Sequence, residues 1–226
     1  MDHYYNAYKT VIRMMADRGY TFNKKNNLSD FKLTMPEFEV KFKGINENKL
    51  DIKGVYDRSG KKRVYVRFIN PETDVLEATA ANDLLQLVKV VAESEGISLA
   101  GKSKDTDKLS TIFGEVKVII IYNGVPSAKD GTYKKYKKSN VEVIPVQKLT
   151  HCILDSEIMP HKVELIENGT RFHKLLIAKY ENKLSKITLD DPLTKYFDAK
   201  PNDILRVTRR NMSIVYRRVT NVRAHK

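Results

Sequence analysis

Val116-Lys117-Val118-Ile119-Ile120-Ile121-Tyr122 is the stretch on which the reading of the fold turns. Three consecutive isoleucines leave no polar side to present to water, which marks a strand buried on both faces and predicts the central strand of a first domain. Upstream, Lys49–Tyr56 and Lys62–Ile69 flank Asp57-Arg58-Ser59-Gly60, the composition of a β-hairpin turn. In the second run Val64, Val66 and Phe68 alternate with Arg63, Tyr65 and Arg67, predicting one apolar face and one wet, basic face. Between the hairpin and the isoleucine run, Leu84, Leu85, Val88, Val91 and Ala92 recur at helical spacing and Gly96 ends the pattern, so 82–95 reads as a helix and 102–110 as polar linker. Downstream, Val141–Val146 reads as a short strand in which Pro145, lacking an amide proton, belongs at an edge or a strand end.

Farther out, Tyr4, Tyr8, Val11 and Met15 recur along one face of a helix over 4–18, with Lys9, Arg13 and Asp17 opposite. Gly19 closes it, and Arg18 is placed to complement the negative end of the helix dipole. Residues 21–48 read as loop with one short element around Phe38–Phe42. Beyond Val146 come a helix around Thr170–Tyr180, a short helix after Asp191, and a final strand pair, Ile204–Thr208 with Ile214–Val219. The expected architecture is α+β, twice, with domains at 1–147 and 148–226.

Composition narrows the function. The 226 residues carry 41 Lys+Arg against 28 Asp+Glu, a formal charge of +13, which suggests a polyanionic partner. The longest apolar run, Val118–Tyr122, is far short of the roughly 20 residues of a membrane span, so no membrane partner is expected. The opening Met1-Asp2-His3-Tyr4-Tyr5 lacks the basic region of an exported leader, and an intracellular protein is expected. A single cysteine, Cys152, excludes an internal disulfide and reads as a small buried hydrophobe. The five histidines never fall at zinc-ligand spacings, so no metal or cofactor is assigned. Asn168-Gly169-Thr170 reads as a turn rather than a glycosylation site.

Four features bear on chemistry. Asp191-Pro192 is a helix start, in which the carboxylate accepts orphan amide protons and proline sits where no amide is needed. Arg209, Arg210, Arg217 and Arg218 make a basic surface on the terminal strand pair, suited to an acidic patch of a partner or simply to solubility. Lys129, Lys134, Lys135, Lys137 and Lys138 surround Tyr133 and Tyr136, a basic run interleaved with aromatics that reads either as a solvated loop or as a phosphate contact. Pro36-Glu37 followed by Asp51-Ile52-Lys53 loosely matches the carboxylates and lysine with which restriction-type nucleases hold Mg²⁺. That spacing is degenerate. No triad, phosphate-cradling glycine loop or cofactor fingerprint appears.

Four stretches in order resemble the fifth subunit of eukaryote-type RNA polymerases, whose C-terminal half corresponds to a small subunit of the archaeal enzyme. They are Tyr8-Lys9-Thr10-Val11 with Asp17-Arg18-Gly19-Tyr20; Gly124-Val125-Pro126-Ser127-Ala128-Lys129; Leu184-Ser185-Lys186-Ile187 with Asp191-Pro192 and Lys195-Tyr196; and Val207-Thr208-Arg209 with Tyr216-Arg217. Val125 replaces the family's threonine, Ser185 its proline, and Asp198 and Asn202 its glycines, while the segment between Arg209 and Tyr216 is several residues shorter. The resemblance implies a non-catalytic subunit with two parts. A jaw domain of restriction-endonuclease-like type borders downstream duplex DNA, and a small α+β assembly domain docks on the largest subunit. It implies DNA proximity for Pro126, Ser127, Ala128 and Lys129, and with the basic run for Lys134, Lys135, Lys137 and Lys138. It implies docking through Lys186, Asp191, Pro192, Lys195, Tyr196, Arg209, Tyr216 and Arg217. Divergence of this kind suits a protist or a large DNA virus carrying its own polymerase, placing the protein in the nucleus if cellular and in a cytoplasmic factory or virion if viral. A free-standing basic nucleic-acid-binding module is the other reading, but it leaves the C-terminal stretches unexplained.

Overall fold

The computed structural model describes residues 2–22, 32–42, 50–60, 63–69, 116–122, 141–180 and 183–221. These form two compact units, one of Met1–Arg13 with Gly19–Thr150 and one of Met14–Arg18 with His151–Lys226. Each combines helices with a sheet, so the chain is α+β.

Helix α1 (Asp2–Asp17), the part up to Arg13 in the first unit and the last turn in the second, is the amphipathic segment expected from its periodicity. Gly19 follows at φ +74°, the left-handed conformation that ends a helix and that a side chain resists. Helix α2 (Met35–Lys41) starts at Thr34, with Pro36 in its first turn. The Glu37 carboxylate accepts hydrogen bonds from the Thr34 amide and hydroxyl, both at 2.8 Å. Those bonds, the backbone one first, hold Glu37 below the usual carboxylate pKa. Tyr8 lies against Phe38, Phe42 and Phe68 at ring separations of 5.5, 5.3 and 6.0 Å, an aromatic cluster joining α1, α2 and the sheet.

The sheet runs β1 (Thr21–Phe22), β2 (Asp51–Tyr56), β3 (Arg63–Ile69), β4 (Val116–Tyr122) and β5 (Val141–Pro145), in that spatial order. Strands β1 to β3 are antiparallel, and β3, β4 and β5 are parallel. The hairpin turns at Gly60, φ +68°. Val118 to Ile121 are at most 1% exposed, as an internal strand requires, and Pro145 ends β5 where no further amide is called upon. The wet, basic face expected of β3 is not there: Tyr65 and Arg67 are only 4% and 5% exposed. Alternation of residue type reports a half-covered strand only when one face stays open, whereas β3 is paired along both edges and covered on both faces. The helix expected over 82–95 and the linker over 102–110 lie outside the described residues.

The second unit is built on a sheet of β6 (Lys162–Ile166), β7 (Ser185–Thr188), β8 (Ile204–Thr208) and β9 (Ile214–Thr220), ordered β6-β8-β9-β7. The β8–β9 hairpin is legible in the sequence; β6 and β7, four or five residues each, are not. Helix α3 (Arg171–Tyr180) begins after a turn in which Gly169 has φ +85°, as Asn168-Gly169-Thr170 suggests. The Thr170 hydroxyl accepts the His173 amide at 3.3 Å, capping that helix. Ile166, Leu176, Leu184 and Ile204 form a core beneath α3, with Ile177, Tyr180 and Tyr216 packed against it. Helix α4 (Pro192–Tyr196) completes the unit.

Candidate functional site

Asp191 and Pro192 open α4 as the residue types required: the Asp191 carboxylate accepts the Leu193 amide at 2.8 Å, and proline takes the first helical position. The buried Thr194 hydroxyl lies 2.9, 3.1 and 2.7 Å from the carbonyls of Thr188, Leu189 and Asp191, tying α4 to the end of β7. The other end of α4 is closed from far away in the chain. Arg18, 1% exposed, donates from Nε to the Tyr196 carbonyl at 2.6 Å and from Nη2 to that of Lys195 at 3.0 Å. A guanidinium there satisfies the Tyr196 carbonyl, adds a second donor to that of Lys195, which also accepts the Asp198 amide at 3.2 Å, and complements the negative end of the α4 dipole. Arg18 therefore serves the end of a helix 177 residues later in the chain.

Tyr196 is core rather than surface. Its hydroxyl donates to Asp17 Oδ2 at 2.7 Å and lies 3.6 Å from the buried Cys152 sulfur, whose reading as a small hydrophobe holds. Burial, reinforced by the hydrogen bonds to Asp17 and Cys152, pushes the phenol pKa well above the usual tyrosine value. The Lys195 ammonium is exposed and pairs with Asp190 at 3.3 Å.

The sheet disperses the remaining docking candidates. Strand alternation puts Tyr216 and Arg217 on opposite faces. Tyr216 stacks beside Tyr180 and Phe172 at 6.2 and 6.4 Å, on the α3 side. Arg209 sits at the β8–β9 turn, where Met212 has φ +62° and Arg209 and Ser213 close the loop with an N–H···O bond of 2.8 Å. This is the shortened segment. Asp198 and Asn202, standing for glycines, do adopt φ +48° and +74°. Ser185, in place of proline, donates its hydroxyl to the Tyr216 carbonyl at 3.1 Å.

Lys186 faces Arg218 directly across the parallel β7–β9 pair. The two line a groove of about 320 Å³ with Leu184, Pro201, Asn202 and Val219. Arg218 donates from Nη2 to Asn202 Oδ1 at 2.8 Å, and its Nε is buried with no partner among the described residues. Local pattern marks Arg218 only as one of four arginines on the terminal strand pair. Its pairing with Lys186 needs the β7–β9 contact, which no local pattern announces. The loop residues Pro126, Ser127, Ala128, Lys129, Lys134, Lys135, Lys137 and Lys138 lie outside the described residues, as do the side chains of Asp51 and Lys53. Of the loose nuclease match, Glu37 is engaged in capping α2. No cluster of three metal-ligating side chains occurs among the described residues.

The second unit is thus a small α+β domain, a four-stranded sheet with a helix fixed by a distant arginine and a cationic groove at one end. Residues 161–219 match the family model "RNA polymerase Rpb5, C-terminal domain". The chain is 36% identical over 66 residues to DNA-directed RNA polymerase subunit Rpo5 of Aeropyrum pernix, a match covering 29% of this chain and 72% of that protein. The chain belongs to the family of fifth RNA polymerase subunits typified by Rpb5 and Rpo5. The family-model match spans β6 through nearly all of β9 and includes all eight expected docking residues.

Proposed function

We propose that the chain is a non-catalytic subunit of a multisubunit DNA-dependent RNA polymerase and acts in transcription. Its C-terminal unit docks on the largest subunit, and its N-terminal unit, a jaw of restriction-endonuclease-like type, borders the downstream DNA. The observation that carries this is the family membership of the C-terminal unit, whose matched range contains both the α4 start and the β8–β9 hairpin. The charge of +13 agrees with a place beside DNA. Nucleic-acid proximity belongs, on this reading, to the loop from Pro126 to Lys138. Polymerisation chemistry belongs to the large partner subunits. The protein works in the nucleus if its genome is cellular, and in a cytoplasmic factory or the virion if viral.

Affinity purification of tagged full-length chain from its native or infected cells, with mass spectrometry of what accompanies it, tests this. Two very large polymerase subunits are expected. Nucleic acid recovered without them would make the chain a free-standing binding module.

A further inference from the structure

The groove between β7 and β9 holds two cations, Lys186 and Arg218, with no carboxylate paired to either among the described residues. Lys186 and Arg218 are direct register partners, and like charges directly opposite one another oppose pairing. None of the described residues lining the groove is acidic. The nearby Asp203 carboxylate is already engaged, accepting the Asn168 amide at 2.9 Å and the Lys200 amide at 2.7 Å. Elsewhere the same sheet balances its arginine: Arg206 stands directly opposite Glu164 and bonds it at 3.0 Å. Among the described residues no carboxylate plays that part for Lys186 and Arg218.

We propose that the groove receives an acidic side chain, a glutamate or aspartate of a partner protein segment, between the Lys186 ammonium and the Arg218 guanidinium. The guanidinium is held in advance by Asn202 Oδ1, and Asn202 is itself fixed by a left-handed backbone and by the 2.9 Å contact of its carbonyl with His173 Nε2. A pre-oriented guanidinium loses less freedom on meeting a carboxylate than a mobile one. Leu184 and Val219, both buried, supply an apolar floor for the methylenes of an acidic side chain. A nucleic-acid backbone calls for several cations in line along a track; this is a concave site with two. The source of the segment, another polymerase subunit, rests on the function proposed above.

The test uses full-length chain and a fluorescent, end-capped hexaglutamate peptide, with a twelve-nucleotide oligothymidylate as competitor. Saturable peptide binding is expected, shifting the Asn202 side-chain amide and Arg218 Nε–H signals in ¹⁵N NMR spectra. Lys186 is exposed, so Lys186→Glu leaves the core untouched and places the chain's own carboxylate opposite Arg218. It should weaken peptide binding by roughly tenfold or more while holding or raising the melting temperature. Lys186→Arg should bind within about threefold of wild type. Unchanged peptide affinity in Lys186→Glu overturns the proposal, as do NMR shifts produced by the oligonucleotide and not by the peptide. Co-purification separates the two readings. If wild type recovers no polymerase subunits, the subunit role fails while the peptide data still judge the groove. If wild type and Lys186→Glu recover them equally and peptide affinity is unchanged, the groove alone fails.

Discussion

At the residue scale, Arg18 shows how far local reasoning reaches. Its place before Gly19 correctly marks the end of α1, and its charge suits a helix C-terminus; the carbonyls its guanidinium bonds are those at the end of α4. Arg18→Ala would leave the Tyr196 carbonyl without its donor and a cavity beside it, and is expected to cost about 3 kcal/mol by denaturant titration. Arg18→Lys should recover only part, because an ammonium lacks the fork that reaches both carbonyls. Tyr196 gives a pH signature. Its folded-state pKa is raised, so its contribution is fully present below the ordinary tyrosine value of about 10 and is lost as pH rises beyond it. Tyr196→Phe should cost about 1 kcal/mol at neutral pH, and the gap from wild type should close as pH climbs above about 10. A constant gap across that range would contradict the assignment. Met212 adopts φ +62° while 68% exposed, so Met212→Gly should relieve left-handed strain and stabilise the chain by about 1 kcal/mol. Glycine's extra freedom in the unfolded chain offsets part of that gain.

At the element scale, the segments read correctly share a long or strongly patterned signal. Helices α1 and α3, the isoleucine strand β4 and the β8–β9 hairpin each carry several periods of apolar residues or a recognisable turn. Strands β6 and β7 escape because Lys162–Ile166 and Ser185–Thr188 are too short to establish a period. The cover on both faces of β3 escapes because alternation describes the side chains and not what lies against them. Glu164 illustrates an element-level pair: the hydrogen bond from Lys162, with Arg206 adding to it, lowers its pKa. This carboxylate contributes above its unfolded pKa and is lost as pH falls through the lowered one. Half-exposed to screening solvent, the pair contributes little.

At the scale of the whole molecule, the function proposed above divides between the two units. Replacing Lys134, Lys135, Lys137 and Lys138 by alanine in the assembled polymerase should weaken downstream-DNA engagement. The slope of log affinity against log salt should fall by up to about 3–4, with subunit recovery unchanged. Unaltered DNA engagement at low salt would remove that loop from the DNA path. The sequence by itself determined the α+β class, the helix boundaries at Gly19 and Asp191-Pro192, and the family, because all of these are written in residue types at short separations; the left-handed turns at Asp198 and Asn202 followed from the resemblance, which puts glycines there. Only the tertiary structure decided that Arg18 closes α4, that Tyr196 is core, that Tyr216 and Arg217 face opposite ways from the sheet, and that Lys186 meets Arg218 in a groove. Each of those depends on partners brought together from distant parts of the chain, and the energy that selects them belongs to the contact between segments rather than to any segment alone.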